Sequence, residues 1–298
     1  MDGIIIVDKP QGCTSHDIVR KVKKALNEKV GHAGTLDPMA TGVLPLLIGK
    51  GTLCSKYLIN HDKIYKVVLQ LGKKTDTADS EGKVIEEKLI KEKYFDTKNV
   101  KDVLSSFIGE IKQTPPIYSA IKVRGKKLYE YARKGEIVEI PSRNVKIYSI
   151  DKVEINEIEK QISFEVSCSK GTYIRTLCED IAGKMETVGY MKELRRIKVG
   201  SFDISNAINV TNLENLNTDN ELVNKHFISV EKLFEASSEI ILNDKKLGLF
   251  LNGVKLNIKQ HDGIYRIYHD KKFIGIGIVE HKLLKRDIIL DLYQLGTG

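Results

Sequence analysis

Between Gly31 and Gly51 the chain carries glycine at 31, 34, 42, 49 and 51 and proline at 38 and 45, punctuation too dense for one regular element. Any fold must route the chain around this stretch, which reads as a structured loop. Its centre runs Gly31-His32-Ala33-Gly34-Thr35-Leu36-Asp37-Pro38-Met39-Ala40-Thr41-Gly42-Val43-Leu44-Pro45. The glycines open backbone angles closed to other residues around a single carboxylate, Asp37. An Asp-Pro pair by itself commonly starts a turn, so the dipeptide alone does not separate a scaffold from a site.

The flanking pattern mixes strands and helices without βαβ regularity. Ile4 to Val7 is a strand ending at the turn Lys9-Pro10-Gln11-Gly12. Thr14 or Ser15 then caps a helix with Ile18, Val19, Val22, Ala25 and Leu26 on one face and Arg20, Lys21, Lys23 and Lys24 on the other. Tyr65, Val67, Leu69 and Leu71 alternate as a strand before a polar loop from Lys73 to Gly82. A helical stripe from Val100 to Ile108 lies between a Thr97 cap and Gly109, and Leu128 to Gly135 reads as a shorter helix, with an extended Thr114 to Tyr118 between them. Val145 and Ile147, then Ile162 to Cys168, alternate as strands, and Ile174, Cys178, Ile181 and Met185 restore the helical period behind a Thr172 cap.

At roughly 150 residues per domain, 298 residues suggest about two domains. The asparagine-rich stretch 205–225 disfavours long elements, and a boundary is placed at 235/236. Beyond it, a helix from Asp244 to Leu251 precedes strand-like runs near Ile264, from Phe273 to Val279 and from Ile288 to Tyr293, a small β-rich module leaning on the main domain.

Several chemistries fail on spacing. Gly42 and Gly49-Lys50 are too far apart for a phosphate-cradling P-loop. Gly275 and Gly277 begin a GxGxxG pattern, but Glu280 stands at its third position in a run that reads as strand. There is no HExxH, and the H-x-E and PCxxC ligands of a zinc deaminase are missing. Cys13, Cys54, Cys168 and Cys178 form no CxxC pair, so they read as reduced structural thiols. The longest apolar run, Val43 to Ile48, is far short of the ~20 residues of a membrane-spanning helix. Met1-Asp2-Gly3 lacks a signal-peptide start, and a cytoplasmic protein is expected. The 48 Lys+Arg against 40 Asp+Glu leave +8, which favours polyanionic partners.

Read whole, the segment GHAGTLDPMATGVLP resembles the signature of the TruB family of tRNA pseudouridine synthases, which modify uridine 55 in the T-loop. Further segments resemble that family in order: Asp8-Lys9-Pro10-Gln11-Gly12, Asp62-Lys63-Ile64-Tyr65 with Thr75-Asp76-Thr77-Ala78-Asp79, Pro115-Pro116-Ile117-Tyr118-Ser119-Ala120, Cys168 to Thr176, and Leu194-Arg195-Arg196. The resemblance covers residues 4 to about 200. It implies an α+β catalytic domain, residues 1–235, around a mixed, mostly antiparallel central sheet. More weakly, residues 236–298 resemble a small β-barrel RNA-binding module of the PUA type, through Leu251-Asn252-Gly253-Val254 and Phe273-Ile274-Gly275-Ile276-Gly277.

By the same resemblance Asp37 is the essential catalytic residue, Arg175 pairs with it, and Tyr65, counted with them as catalytic, stacks on the target base or assists proton removal from C5, for which a phenol with a pKa of about 10 is a reluctant base. His32 fills or stacks within the opened loop, Tyr173 and Leu194 line the uracil pocket, and Lys9 belongs to the substrate-binding set or supports the catalytic loop. The reaction breaks the bond from ribose C1′ to N1 and rejoins C1′ to C5, so no redox cofactor or metal is required. A free aspartate, with a pKa of about 3.9, is ionised roughly a thousandfold over neutral at pH 7, and Asp37 is expected to act as an anion. The residues leave open whether it bonds to the base, bonds to C1′ or removes a ribose proton. The expected partner is tRNA, gripped on its T-arm and acceptor side by a monomer with base flipping at the site. The charge also admits a non-catalytic RNA-binding or RNA-folding protein. A metabolic enzyme binding a phosphorylated small molecule is disfavoured by the failed P-loop spacing.

Overall fold

The computed structural model of the chain describes residues 1–119, 121–217, 221 and 225–290. Ala120 and the 291–293 end of the Ile288 to Tyr293 run lie outside the described residues.

The opening apolar run is strand β1 (Gly3–Lys9), buried along its length but for a partly exposed Asp8. Helix α1 (Ser15–Leu26) starts at a reciprocal cap: the Thr14 side chain accepts from Asp17 N, and Asp17 accepts from Thr14 N at 2.8 Å. Such a cap contributes about 1 kcal/mol. Ile18, Val19 and Val22 are the buried face, and the helix stops at Asn27 in the left-handed region, φ 51°.

The stretch expected to be one structured loop is partly strand. It contains β2 (Val30–His32) and β3 (Thr41–Ile48), with the bend 33–40 between them. Pro45 is tolerated inside β3 because β2 ends opposite Leu46, and the Pro45 carbonyl there takes the Ala33 N–H at 3.0 Å. After the short helix α2 (Ser55–Leu58) comes β4 (Lys63–Leu71), whose alternation is as expected. The polar segment 73–82 is a loop only in part, since β5 (Lys73–Thr75) pairs with β6 (Val84–Glu87). Helix α3 (Thr97–Ser105) is capped by Asp96 rather than Thr97. Strand β7 (Gly109–Gln113), the hairpin β8 (Lys122–Val123) with β9 (Lys126–Lys127), and helix α4 (Leu128–Lys134) follow. Then come β10 (Arg143–Asn156), β11 (Gln161–Cys168) and helix α5 (Ile174–Lys184). Tyr173, not Thr172, is the N-cap of α5 and makes no side-chain capping bond; the Thr172 hydroxyl donates instead to the Ser169 carbonyl at 3.0 Å.

Strand β12 (Gly189–Val199) was not anticipated, although it is the middle of the sheet. Bulges between Met191 and Glu193 and between Arg196 and Lys198 break its period-two signal. The main sheet runs Ile208–Asn209, β1, β3, β12, β4, β11, β10, β7. Among the described residues only the pairs Ile208–Asn209 with β1 and β3 with β12 are parallel in this sheet, so it is mixed and mostly antiparallel. The β3–β12 seam joins its two antiparallel parts. Helices α1, α3 and α5 pack Val22, Leu104 and Leu177 into one core with Val67, Leu69 and Phe164 of the sheet.

A second sheet of five strands (Glu239–Ile241, Leu256–Asn257, Gly263–His269, Lys272–Glu280 and Leu283–Ile289) encloses its own core of Leu247, Phe250, Ile267, Ile274 and Leu284. This is the small β module of PUA-like kind. Gly275 belongs to a strand, as its sequence context indicated, and a Cβ there would meet the Ile288 carbonyl oxygen at 2.0 Å. The module is anchored to the main domain by an apolar cluster of Cys54, Val230, Phe234, Ile276 and Ile288, and by Asp287, which accepts from Lys56 and the Tyr57 hydroxyl.

All four cysteines are free; burial pushes the Cys54 and Cys168 thiols up to about 12, consistent with inert packing groups. No helix among the described residues is long and apolar enough to cross a membrane.

Candidate active site

The bend 33–40 is held from every side by its backbone. Ser15, buried at the start of α1, accepts from Leu36 N at 2.9 Å and donates to the Leu36 carbonyl at 3.1 Å. Asp37 opens a tight turn closed by Ala40 N on the Asp37 carbonyl, 3.0 Å, with Pro38 at the position that suits its fixed φ. The Pro38 carbonyl accepts from Gly12 N at 2.9 Å and from Lys9 Nζ at 3.3 Å. Lys9 is fully buried, and Nζ also donates to the Pro10 and Cys13 carbonyls at 2.8 and 2.7 Å. Arg196, 1% exposed, donates from Nε to the Val43 carbonyl at 2.8 Å and from Nη2 to the Gly34 carbonyl at 3.0 Å. The Asp-Pro turn is therefore real, and it is also fastened.

The Asp37 side chain, 38% exposed, projects from this frame to Arg175 on α5, with Oδ2 3.1 Å from Nη2. Arg175 is buried, and its Nη1 lies 3.5 Å from Oδ2 of Asp79, an equally buried carboxylate. The guanidinium also donates to the Thr77 and Tyr118 carbonyls at 3.3 and 2.9 Å. Asp79 is fixed independently by the Thr77 hydroxyl at 2.6 Å and Glu81 N at 3.1 Å. One guanidinium thus bridges two carboxylates and two carbonyls, the planar fork that lysine lacks.

Around Asp37 lies a cavity of about 290 Å³, whose walls include Leu36, Tyr65, Tyr173, Arg175, Met191 and Leu194. Its volume is at the lower edge of small-molecule sites, about 300 Å³, room for one base between apolar walls. Tyr173 is held rigidly: its backbone N and carbonyl both pair with the Gln113 amide, at 2.7 and 3.0 Å, and the Arg143 guanidinium lies 4.9 Å from its ring centroid. Tyr65, 8% exposed, is the cross-strand partner of Arg196.

Burial sets the electrostatics. It raises the Asp37 pKa above the ordinary carboxylate value, with Arg175 opposing, the Asp79 charge adding to the rise, and Lys9 opposing. The ionised fraction is accordingly smaller than a free aspartate would have, and Arg175 is the main group that keeps the anion accessible. Burial likewise raises the Tyr65 phenol, against the pull of Arg196, so its ring and neutral hydroxyl are what the cavity sees.

Five of the seven residues singled out in the sequence meet here: Asp37, Tyr65, Tyr173, Arg175 and Leu194. Lys9 and His32 do not line the cavity. Lys9 lies behind the bend as described, and His32 sits on β2, where burial first and then Arg196 and His16 lower its pKa. Asp79, Gln113, Arg143 and Arg196 take part here with no sequence signal of their own, although Asp79 and Arg196 lie inside segments that carry the family resemblance. A larger groove of about 590 Å³ touches the same centre at Met39 and Leu194 and extends over Lys66, Lys152, Lys192 and Arg195. Among the described residues no group of three or more His, Cys, Asp or Glu is placed to hold a metal ion.

Known proteins resemble the chain over most of its length. The family model for the TruB family pseudouridylate synthase N-terminal domain matches residues 20–174, and that for the tRNA pseudouridylate synthase B C-terminal domain matches 175–235. A tRNA pseudouridine synthase B of Clostridium kluyveri is 44% identical over 286 residues, covering 93% of this chain and 96% of the relative. One from Aquifex aeolicus is 41% identical, covering 93% and 95%. Among solved structures, a chain of a Cbf5–Nop10–Gar1 complex superposes with a TM-score of 0.68 at 26% identity, covering 96% of this chain and 83% of that one. A chain from an H/ACA RNP bound to a substrate RNA containing 2′-deoxyuridine gives 0.68 at 23% identity, a likeness of fold. Two consecutive family models and relatives matched over nearly their whole length agree, and the chain belongs to the TruB family of pseudouridylate synthases.

Proposed function

We propose that the chain isomerises uridine 55 in the T-loop of tRNA to pseudouridine, with Asp37 as the essential catalytic group. The observation that carries this reading is one carboxylate, 3.1 Å from a buried arginine, opening onto a cavity sized for a single base. A base inside a folded loop must be extruded to reach it, at a cost of a few kcal/mol that stacking against apolar walls repays. Tyr65, Tyr173 and Leu194 supply those walls. As the C1′–N1 bond breaks, positive charge develops at C1′, and the Asp37 carboxylate, turned outward by Arg175, is the group that meets it. The base then turns, C5 bonds to C1′, the C5 proton leaves and N1 gains one, so atoms balance with no added cofactor.

The same proposal extends to the rest of the chain. The catalytic unit spans 1–235, and the 236–298 module grips the acceptor side of the tRNA through phosphate and shape contacts, making affinity salt-dependent. Lys9 and His32 support the bend and the opened loop from outside the cavity. The protein works as a cytoplasmic monomer.

The test incubates the purified protein with an unmodified tRNA transcript and maps pseudouridine at single-nucleotide resolution. Product at position 55 is expected, and product elsewhere or none refutes the assignment. Asp37→Asn should bind the same transcript and make no pseudouridine. A purely RNA-binding protein would show no difference between the two.

A further inference from the structure

The chain leaves the main sheet at Gln113, the last residue of β7, and rejoins it at Arg143, the first of β10. The two are register partners, so their side chains share a face of the sheet. Both reach the loop that leads from β11 into α5. The Gln113 amide accepts from the Tyr173 N–H at 2.7 Å and donates to the Tyr173 carbonyl at 3.0 Å. The Arg143 guanidinium donates to the Gly171 carbonyl and lies 4.9 Å from the Tyr173 ring centroid. Gly171 has a φ of +82°, and a Cβ there would sit 3.4 Å from Arg143 Cζ, so the loop is shaped to seat the flat cation.

The two partners fix different things. The Gln113 bonds hold the Tyr173 backbone and leave its side-chain torsions free. Among the described residues the partly exposed Tyr173 ring stacks on no other ring, its hydroxyl makes no hydrogen bond, and Arg143 is the one cation over its face. Arg143 in turn has no carboxylate in an ion pair with it among those residues, and its Nε–H is buried without a hydrogen-bond acceptor. A buried donor and an unpaired cation are costly unless the electron-rich face of a ring meets them. Tyr173 lines the base cavity and Arg143 does not, so the guanidinium backs the ring from the side away from the cavity.

We infer that Arg143 is a positioning residue of the isomerisation: stacked behind Tyr173, it holds that ring as a fixed wall of the base cavity, while Gln113 holds the backbone beneath it. This rests on the cavity being where the extruded uracil is bound. The ring meets the base only after extrusion, so its placement acts on the chemical step and leaves the initial grip on the tRNA unchanged.

The experiment is a double-mutant cycle on single-turnover pseudouridine formation with a tRNA transcript, read with tRNA affinity and thermal melts. Arg143→Met keeps an apolar stem, removes the planar cation, and should lower the rate about 30-fold with affinity held within about threefold. In a Tyr173→Leu background the same substitution should cost no more than about threefold, because the ring it acts through is gone. In a Tyr173→Phe background the full loss should return, since the ring and not the hydroxyl is held. Arg143→Lys, which keeps a cation over the ring and loses the fork, should recover about fivefold over Met wherever position 173 is aromatic. Equal losses in the Tyr173 and Tyr173→Leu enzymes, a Tyr173→Phe background that behaves like Tyr173→Leu, or no advantage of Lys over Met overturns the inference. If Arg143→Met does not fold, Arg143→Lys carries the cycle, and its smaller loss should likewise vanish with Tyr173→Leu. The underlying reading fails separately: product from Asp37→Asn, or a parental rate from Tyr173→Leu alone, refutes it whatever the cycle shows.

Discussion

Replacing Arg175 by methionine removes the cation between two carboxylates while keeping an apolar stem of similar length. Arg175 and Asp79 are each 6% exposed and 3.5 Å apart, so at an effective dielectric of 20 their attraction is about 5 kcal/mol before desolvation is subtracted. Removing one partner of a buried pair typically costs about 3–5 kcal/mol. Here the lower part of that range applies, because Asp79 keeps the Thr77 hydroxyl and Glu81 N. Asp37 is more exposed and contributes less. The rate should fall further than stability explains. Freed from the 3.1 Å contact, the Asp37 carboxylate loses its orientation, worth about 100-fold or more. The assay is single-turnover release of tritium from uridine labelled at C5, beside denaturant melts. Adding Asp79→Asn to Arg175→Met should restore part of the stability and none of the rate, since it removes the stranded charge without re-aiming Asp37. A rate within about threefold of the parent enzyme, or its rescue by Asp79→Asn, would refute the bridging role.

Three other outcomes are expected. Because the ionised form of Asp37 is the working one and its pKa is raised above 3.8, the acid limb of the rate profile should lie above that of a free aspartate, and Arg175→Met should move it higher still; a limb at the free-aspartate value contradicts this. A carboxyl whose folded pKa is raised costs stability above its unfolded pKa, so Asp37→Asn should raise the melting temperature at neutral pH, with the gain vanishing as pH falls below about 3.9. Gly42→Ala places a methyl against the Arg196 backbone at positive φ and should cost more than the ~1–3 kcal/mol of backbone strain alone, measured by urea melts; a neutral result would mean the β3–β12 seam is looser than described.

Local signals were legible wherever one face of an element is buried. Helix α1 showed its apolar stripe and a cap at Thr14 or Ser15, of which the structure uses Thr14, and β4 and β11 showed clean alternation, because both periods follow from backbone geometry that neighbouring residues share. Strand β12 did not, since its bulges shift the alternation and Lys192, Glu193 and Arg195 interrupt the apolar pattern. Strand β3 hid behind Pro45, whose missing N–H is harmless only because of where β2 happens to end.

The candidate site divides in the same way. The amino-acid order determined that a glycine- and proline-bent segment presents one carboxylate, since the backbone freedom of Gly42 and the fixed φ of Pro38 are properties of the residues themselves. It could not determine that Lys9 and Arg196 are buried cations fastening that bend, that Asp79 shares Arg175 with Asp37, or that burial outweighs Arg175 in setting the Asp37 pKa. Desolvation and Coulomb energy depend on which groups water cannot reach and on distances of a few ångströms. Residues 9, 37, 65, 79, 175 and 196 acquire those distances only when the two parts of the sheet close along β3 and β12.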